Sequence, residues 1–427
     1  MNDWRTLTLE NAGVKLIDCV HKTPAAAPNG YPYVAIPQMK NGRIDFSDAR
    51  RISTDDFIEW TKKAKPRVHD VVLSRRTNPG VTATFGENCD FALGQNLVLL
   101  RANGKCVLPQ FLRWLTISPG WWAQIEKFNN VGAVFDSLRC GDVPKFELLI
   151  PPKPDQEAIS SVLGALDDKI DLNRRMNETL ESMARLIFKD WFFDFGPTRA
   201  KMEGRAPYLA TDIWSLFPDR IDDDGKPEGW TIGCLGDLIG QRNERATPSE
   251  DTRAKPYVPI DCISPRSLTL TETKPGSDAQ SSLIKFYKND ILFGAMRPYF
   301  HKVCISPFEG TTRTTVFVFH PLKASDFAFT CMLLHSKSTI EYATTHSTGT
   351  TIPYATWRHS LENMPVIIPR AEIRQAFNDK IRPMLLRFPQ TYFENNSLAA
   401  ARDLLLPKLM SGEIRVRDAE NIMEACA

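Results

Sequence analysis

Two stretches of the chain carry side chains suited to reading hydrogen-bond patterns on another molecule. They are Leu73-Ser74-Arg75-Arg76-Thr77-Asn78-Pro79-Gly80 and Phe293-Gly294-Ala295-Met296-Arg297-Pro298-Tyr299-Phe300-His301-Lys302. A guanidinium fork matches the paired acceptors of guanine, and a side-chain amide matches adenine. The candidates for such contacts are Arg75, Arg76, Asn78, Arg297, Tyr299, His301 and Lys302, and Gln95, Asn96, Arg313 and Thr314 offer related chemistry. Lys62, Lys63 and Lys65 suit phosphate, a contact that positions without specifying. An ordinary polar hairpin loop would carry the same residue types, so the assignment depends on the rest of the chain.

Other chemistries lack their residues. Nine cysteines stand at 19, 89, 106, 140, 234, 262, 304, 331 and 426, with no CxxC pair, and read as reduced thiols of a cytoplasmic protein. Seven histidines show no HxxxH or HExxH spacing, so no metal site is expected. There is no GxGxxG, no GxxxxGK[ST] and no Asn/Asp-Pro-Pro-Tyr/Phe run, so no cofactor and no catalytic residue are expected. The composition, 42% hydrophobic and 24% charged with a net charge of +2, is that of a globular protein rather than a disordered one. Met1–Gly13 has no basic segment followed by an apolar core, and no apolar run approaches a membrane span.

The elements that must position these loops come in duplicate. Pro32-Tyr33-Val34-Ala35-Ile36 recurs as Pro256-Tyr257-Val258-Pro259-Ile260, and Asp70-Val71-Val72-Leu73 as Asp290-Ile291-Leu292-Phe293. Leu97–Leu100 recurs as Val316–Phe319, and Leu149-Ile150-Pro151 as Ile367-Ile368-Pro369. Shared order and a nearly shared offset mark a tandem repeat. Short β-rich runs and helical patterns do not alternate as βαβ units, so each repeat reads as an α+β domain followed by one long helix. The expected division is a first domain at 1–150, a helix at 151–196, a Pro/Gly/Asp-rich linker at 197–229, a second domain at 230–368, a second helix at 369–416 and a frayed tail at 417–427.

The first helix carries Ile159, Leu163, Leu166, Ile170, Asn173, Asn177, Leu180, Ala184 and Ile187 at alternating steps of three and four. That is a coiled-coil seam, in which two asparagines fix register at some cost in stability. The second repeats the pattern with Phe377, Ile381, Met384, Phe388, Thr391, Asn395, Leu398 and Leu405, and Pro383 and Pro389 predict a kink or break at 383–389. Each helix is expected to span about 35 residues, on the order of 50 Å. Packing the two antiparallel satisfies both seams within one chain. Trp191–Phe195 reads as apolar core at a helix end or as a docking surface. Residues 1–150 hold 19 Lys/Arg against 15 Asp/Glu, whereas 155–195 hold 5 against 9, so the small basic excess lies in the domain rather than the helix.

In these features the chain resembles the specificity subunits of type I restriction–modification systems. The resemblance covers essentially its whole length. It rests on Leu148-Leu149-Ile150-Pro151-Pro152 leading to Asp155-Gln156-Glu157, on Asn177-Glu178-Thr179-Leu180 running to Lys189-Asp190-Trp191-Phe192, on Phe195-Gly196-Pro197 through Pro227-Glu228-Gly229-Trp230, and on Leu406–Ile414. The second junction, Ile368-Pro369-Arg370-Ala371-Glu372, departs from the pattern by lacking the second proline. The resemblance implies two target-recognition domains, each reading half of a bipartite site in double-stranded DNA, and helices that act as a ruler and bind two methyltransferase subunits. It implies that S-adenosylmethionine sits on those partners, that a restriction subunit joins through the complex, and that this chain is non-catalytic. The recognition subunit of a related two-subunit restriction enzyme and a duplicated coiled-coil protein adaptor are the alternatives.

Overall fold

The computed structural model describes residues 3–87, 90–129, 136–280, 282–349 and 351–414. It divides into two units, residues 1–169 with 397–427, and residues 170–396. Among the described residues no helix is long and apolar enough to cross a membrane.

In the first unit the start and end of the domain pair with each other. Arg5–Thr8 runs antiparallel to Glu147–Ile150, with Arg5 opposite Ile150. A four-stranded sheet has the order Val14–Asp18, Leu97–Ala102, Val71–Ser74, Thr82–Ala83. Its central strand is covered on both faces. Val98 and Leu100 pack with Phe111, Trp114, Trp121 and Phe146, while Leu97 and Leu99 pack with Val34, Phe91 and Val72. This is why 97–100 is an unbroken apolar run rather than an alternating one. A small sheet places Tyr31–Val34 between Arg50–Ile52, to which it runs antiparallel, and Ala92–Leu93, to which it runs parallel.

The second unit repeats this plan. Thr231–Cys234 pairs with Pro365–Ile368. The four-stranded sheet has the order Ile239–Arg242, Val316–Pro321, Ile291–Gly294, Val303–Ile305. Phe317 and Phe319 face one apolar cluster, Val316 and Val318 another. In both units a buried aspartate immediately precedes the strand that leads to the candidate loop. Asp70 accepts from Arg67 N (2.8 Å) and from Arg101, and Asp290 accepts from Tyr287 N (2.8 Å) and from Arg242. The arginine comes from a different strand in each copy.

The long helices are Lys153–Phe192 and Ala371–Ser411, 40 and 41 residues, or about 60 Å each. In the first unit Ile159, Leu163 and Leu166 share a core with Leu405 and Leu409, and Asp167 accepts from Arg402 Nη1 (2.7 Å) and from Arg113. In the second, Asn173 Nδ2 donates to Asn395 Oδ1 (2.9 Å) and Thr391 Oγ1 to Asn177 Oδ1 (3.3 Å). One partner number rises as the other falls, so the helices pair antiparallel. Ile170, Asn173, Asn177, Phe377, Ile381 and Phe388 are buried, and Leu180, Ile187, Met384, Asn395 and Leu398 are half-buried. Towards the end of the first helix, Glu181, Ala184, Phe188 and Trp191 take the buried positions. A helix with 3.6 residues per turn drifts off a strict heptad in this way.

Three expectations meet a different outcome or none. The second helix is unbroken through Pro383 and Pro389. Buried Ile381, Leu385, Phe388 and Thr391 hold the turns on either side, and packing outweighs the lost backbone bonds. The connector at 197–229 contains the helices Gly196–Met202 and Thr211–Leu216, and its acidic run closes on Lys226, whose ammonium donates to Asp222 and Asp224 (2.8 Å to the latter). The tail at 417–427 lies outside the described residues. Trp191, Phe192 and Phe195 are core, with Phe193 exposed.

Candidate nucleic-acid interface

In each unit three segments meet at one end of the four-stranded sheet. Arg75 N donates to Asn96 O (3.0 Å), and Leu138 N donates to Arg75 O (2.9 Å). At the matching place Ala295 N donates to Thr315 O (2.9 Å) and Ala355 N to Ala295 O (2.8 Å). Bridges Arg76–Ser137 and Met296–Tyr354 extend the two crossings by one residue. The loops that follow share a backbone design. Each enters a left-handed residue, Thr77 (φ 68°) or Arg297 (φ 51°), and leaves through another, Gly80 (φ 91°) or His301 (φ 54°). Three such residues are not glycine, and a non-glycine residue held there needs support from its surroundings.

The first unit therefore brings Arg75, Arg76, Asn78, Gln95 and Asn96 together. Arg76, Asn78 and Gln95 are exposed, while Arg75 and Asn96 are half-buried. The Nε of Arg75 is buried and makes no hydrogen bond. His21 joins them, its Nδ1 2.9 Å from Gln95 O and its Nε2 3.0 Å from the Asp18 carboxylate. Asp18, Cys19 and His21 bring three potential ligand atoms within 4.8 Å of one another. Burial pushes the Cys19 thiol up to about 11, against thiolate formation. Lys62, Lys63 and Lys65 are exposed after the helix Thr54–Thr61, with Lys62 paired to Glu59.

In the second unit Arg297 is half-buried, and its Nε is buried without a hydrogen bond. Tyr299 and Phe300 are exposed with ring centroids 4.8 Å apart, and Arg313 and Thr314 are exposed just before Thr315 of the crossing. His301 and Lys302 are engaged inward. His301 Nε2 lies 3.0 Å from His335 O, and Lys302 Nζ donates to Ile260 O (2.8 Å). Burial depresses the pKa of both. A groove of about 370 Å³ next to the crossing is lined by Gln241, Asn243, Phe317, Tyr354, Thr356 and Arg358, among others. The Tyr354 hydroxyl donates to Thr314 O. Sequence reasoning missed this third segment. Its signal was available, because Ser137 and Tyr354 stand at nearly the repeat offset, but neither lies in an apolar run.

Forked and amide donors thus converge at one end of a rigid sheet, twice. The chain matches the family described as "Type I restriction modification DNA specificity domain" over residues 18–182 and again over 227–384. It belongs to that family. The specificity subunit of the type I restriction enzyme HindI from Haemophilus influenzae is 25% identical over 381 residues, covering 76% of this chain and 82% of that protein. The specificity subunit of MjaIX from Methanocaldococcus jannaschii is 27% identical over 303 residues, 67% and 65% of the two chains. The crystal structure of a type I restriction–modification S subunit from M. genitalium superposes with a TM-score of 0.54 at 15% identity, over 95% of this chain and 96% of that one. The fold is that of a specificity subunit, with two tandem α+β domains and two long helices packed together.

Proposed function

We propose that the chain is the sequence-specific DNA-binding subunit of a type I restriction–modification enzyme. Residues 1–150 and 230–368 act as target-recognition domains for the two halves of a bipartite site in double-stranded DNA. The observation that carries this is the matched crossing, which presents Arg75, Arg76, Asn78, Gln95 and Asn96 in one copy and Arg297, Tyr299, Arg313 and Thr314 in the other. Different side chains on one scaffold suit different half-sites. Buried guanidinium nitrogens left without partners suit bidentate pairing with a base edge, because such donors are costly unless a ligand completes them. His301 and Lys302 support the loop rather than touch bases.

The helices at 151–196 and 369–416 act as spacers that set the gap between half-sites and dock two methyltransferase subunits. Those partners supply S-adenosylmethionine and the chemistry, and a restriction subunit joins through them in the cytoplasm. The chain itself catalyses nothing. Methylome sequencing of a host expressing it with its methyltransferase partner tests the proposal. A bipartite motif with two short specified halves and a fixed gap is expected. Absence of any motif in a host where the complex assembles would refute it.

A further inference from the structure

A largely buried polar cluster ties the first long helix to the candidate reading loop of the second domain. Glu181 is 4% exposed. Its carboxylate accepts from Leu268 N (2.9 Å) and from Ser267 Oγ (3.4 Å). Two residues back, Arg266 N donates to His301 O (2.7 Å). His301 Nε2 meets the carbonyl of His335 (3.0 Å), and the two imidazoles lie tilted at 46° with centroids 4.5 Å apart. His335, 2% exposed, completes the cluster by proximity, its Nε2 3.7 Å from Glu181 Oε1 without a hydrogen bond. Arg185 lies 3.9 Å from the same carboxylate oxygen.

Among the described residues, the first domain has no such cluster. There the loop closes on Gly80, and a Cβ at that position would fall 2.7 Å from the side chain of Ile125. The position matching Glu181 on the second helix, at the constant offset of 218, is Ala399. The first loop is thus closed by apolar packing on a glycine. The second places a histidine at a left-handed position and holds it by hydrogen bonds traceable to one helix carboxylate.

From this asymmetry we infer that Glu181 is a positioning residue for sequence reading by the second domain, fixing Arg297 through Leu268, His301 and His335. The inference rests on the proposal that the Arg297 loop contacts DNA. A reading side chain must be held within a fraction of an ångström, and that accuracy comes from the groups behind it.

The test uses the full complex with its methyltransferase and a library of sites randomised in one half at a time. Arg297→Ala identifies the base positions that the loop reads. Glu181→Ala is expected to lower discrimination about tenfold at those same positions and to leave the other half-site unchanged. Glu181→Gln, which keeps an acceptor for Leu268 N, is expected to restore most of it. Thermal melting of each variant guards against loss of fold. If Glu181→Ala unfolds, His301→Ala takes its place, with the same expectation. Full discrimination in a folded Glu181→Ala or His301→Ala complex, when Arg297→Ala has lost it, overturns the positioning role. Loss spread equally over both half-sites also overturns it. If Arg297→Ala changes nothing, the loop does not read DNA and the inference falls with that reading.

Discussion

The junction between the second domain and its helix offers a double-mutant cycle whose outcome the first junction already foreshadows. Arg374 and Asp326 form a buried pair, with side chains 9% and 4% exposed and Nε 2.9 Å from Oδ1. Arg374 also donates to Pro369 O. At the same offset of 218 the first repeat has Gln156 and Leu108. Gln156 Nε2 donates to Pro151 O (2.7 Å), and its Oε1 accepts from Leu108 N (2.8 Å). Arg374→Gln alone strands a buried carboxylate, which costs about 3–5 kcal/mol. At roughly 2–4 °C per kcal/mol for a unit of this size, the second domain should melt about 6–20 °C lower. Asp326→Leu alone strands the guanidinium and should cost a similar amount. The double variant installs the pair used in the first repeat and should cost less than about 2 kcal/mol, giving a coupling energy of at least about 4 kcal/mol in magnitude. Circular dichroism melts of the four proteins under one set of conditions measure it. Additive losses in the double variant would show that the two junctions are not interchangeable solutions to one packing problem.

Two further outcomes are expected. Inserting seven residues after Ile170 and after Thr391 keeps both seams in phase and adds about 10.5 Å of helix. The methylome motif should keep its halves and gain roughly three base pairs of gap, with weaker activity from the added rotation. An unchanged gap in an active variant would remove the helices as the ruler. Burial pushes the His335 imidazole down from 6.5 to about 3. The unfolded chain then binds a proton that the folded chain refuses, so stability present above about 6.5 is lost as pH falls towards 3, at about 1.4 kcal/mol per pH unit once well below 6.5. His301 and His320 are displaced the same way and add to it, whereas Glu181, raised by burial, opposes it where it titrates. His335→Gln should flatten the decline in melting temperature between pH 6.5 and 5, and an equal slope in both proteins would count against a neutral buried His335.

Much of this architecture was legible because it rests on apolar periodicity. The strands at 71–74, 97–102, 291–294 and 316–321 follow from runs covered on both faces, and the paired helices follow from one seam written twice. What escaped has other causes. Pro383 and Pro389 signal a break locally, but packing of Ile381, Leu385 and Phe388 is a tertiary effect that no local signal reports. The drift of burial from Ile187 to Phe188 arises because a helix does not keep a strict heptad over its full length. At the candidate interface, residue type selected His301 and Lys302 as readily as Arg297, and only geometry shows that they turn inward. Glu181 escaped notice because its partners, Leu268 and His335, are remote in sequence.

The short ladders Arg5–Thr8 with Glu147–Ile150, and Thr231–Cys234 with Pro365–Ile368, bring the two ends of each domain side by side. Everything between those ends is an excursion that departs from and returns to one place. A genetic exchange with crossovers at these ladders would replace an entire domain while leaving the helix seams untouched. New specificities are then reachable by recombination between relatives in a single event.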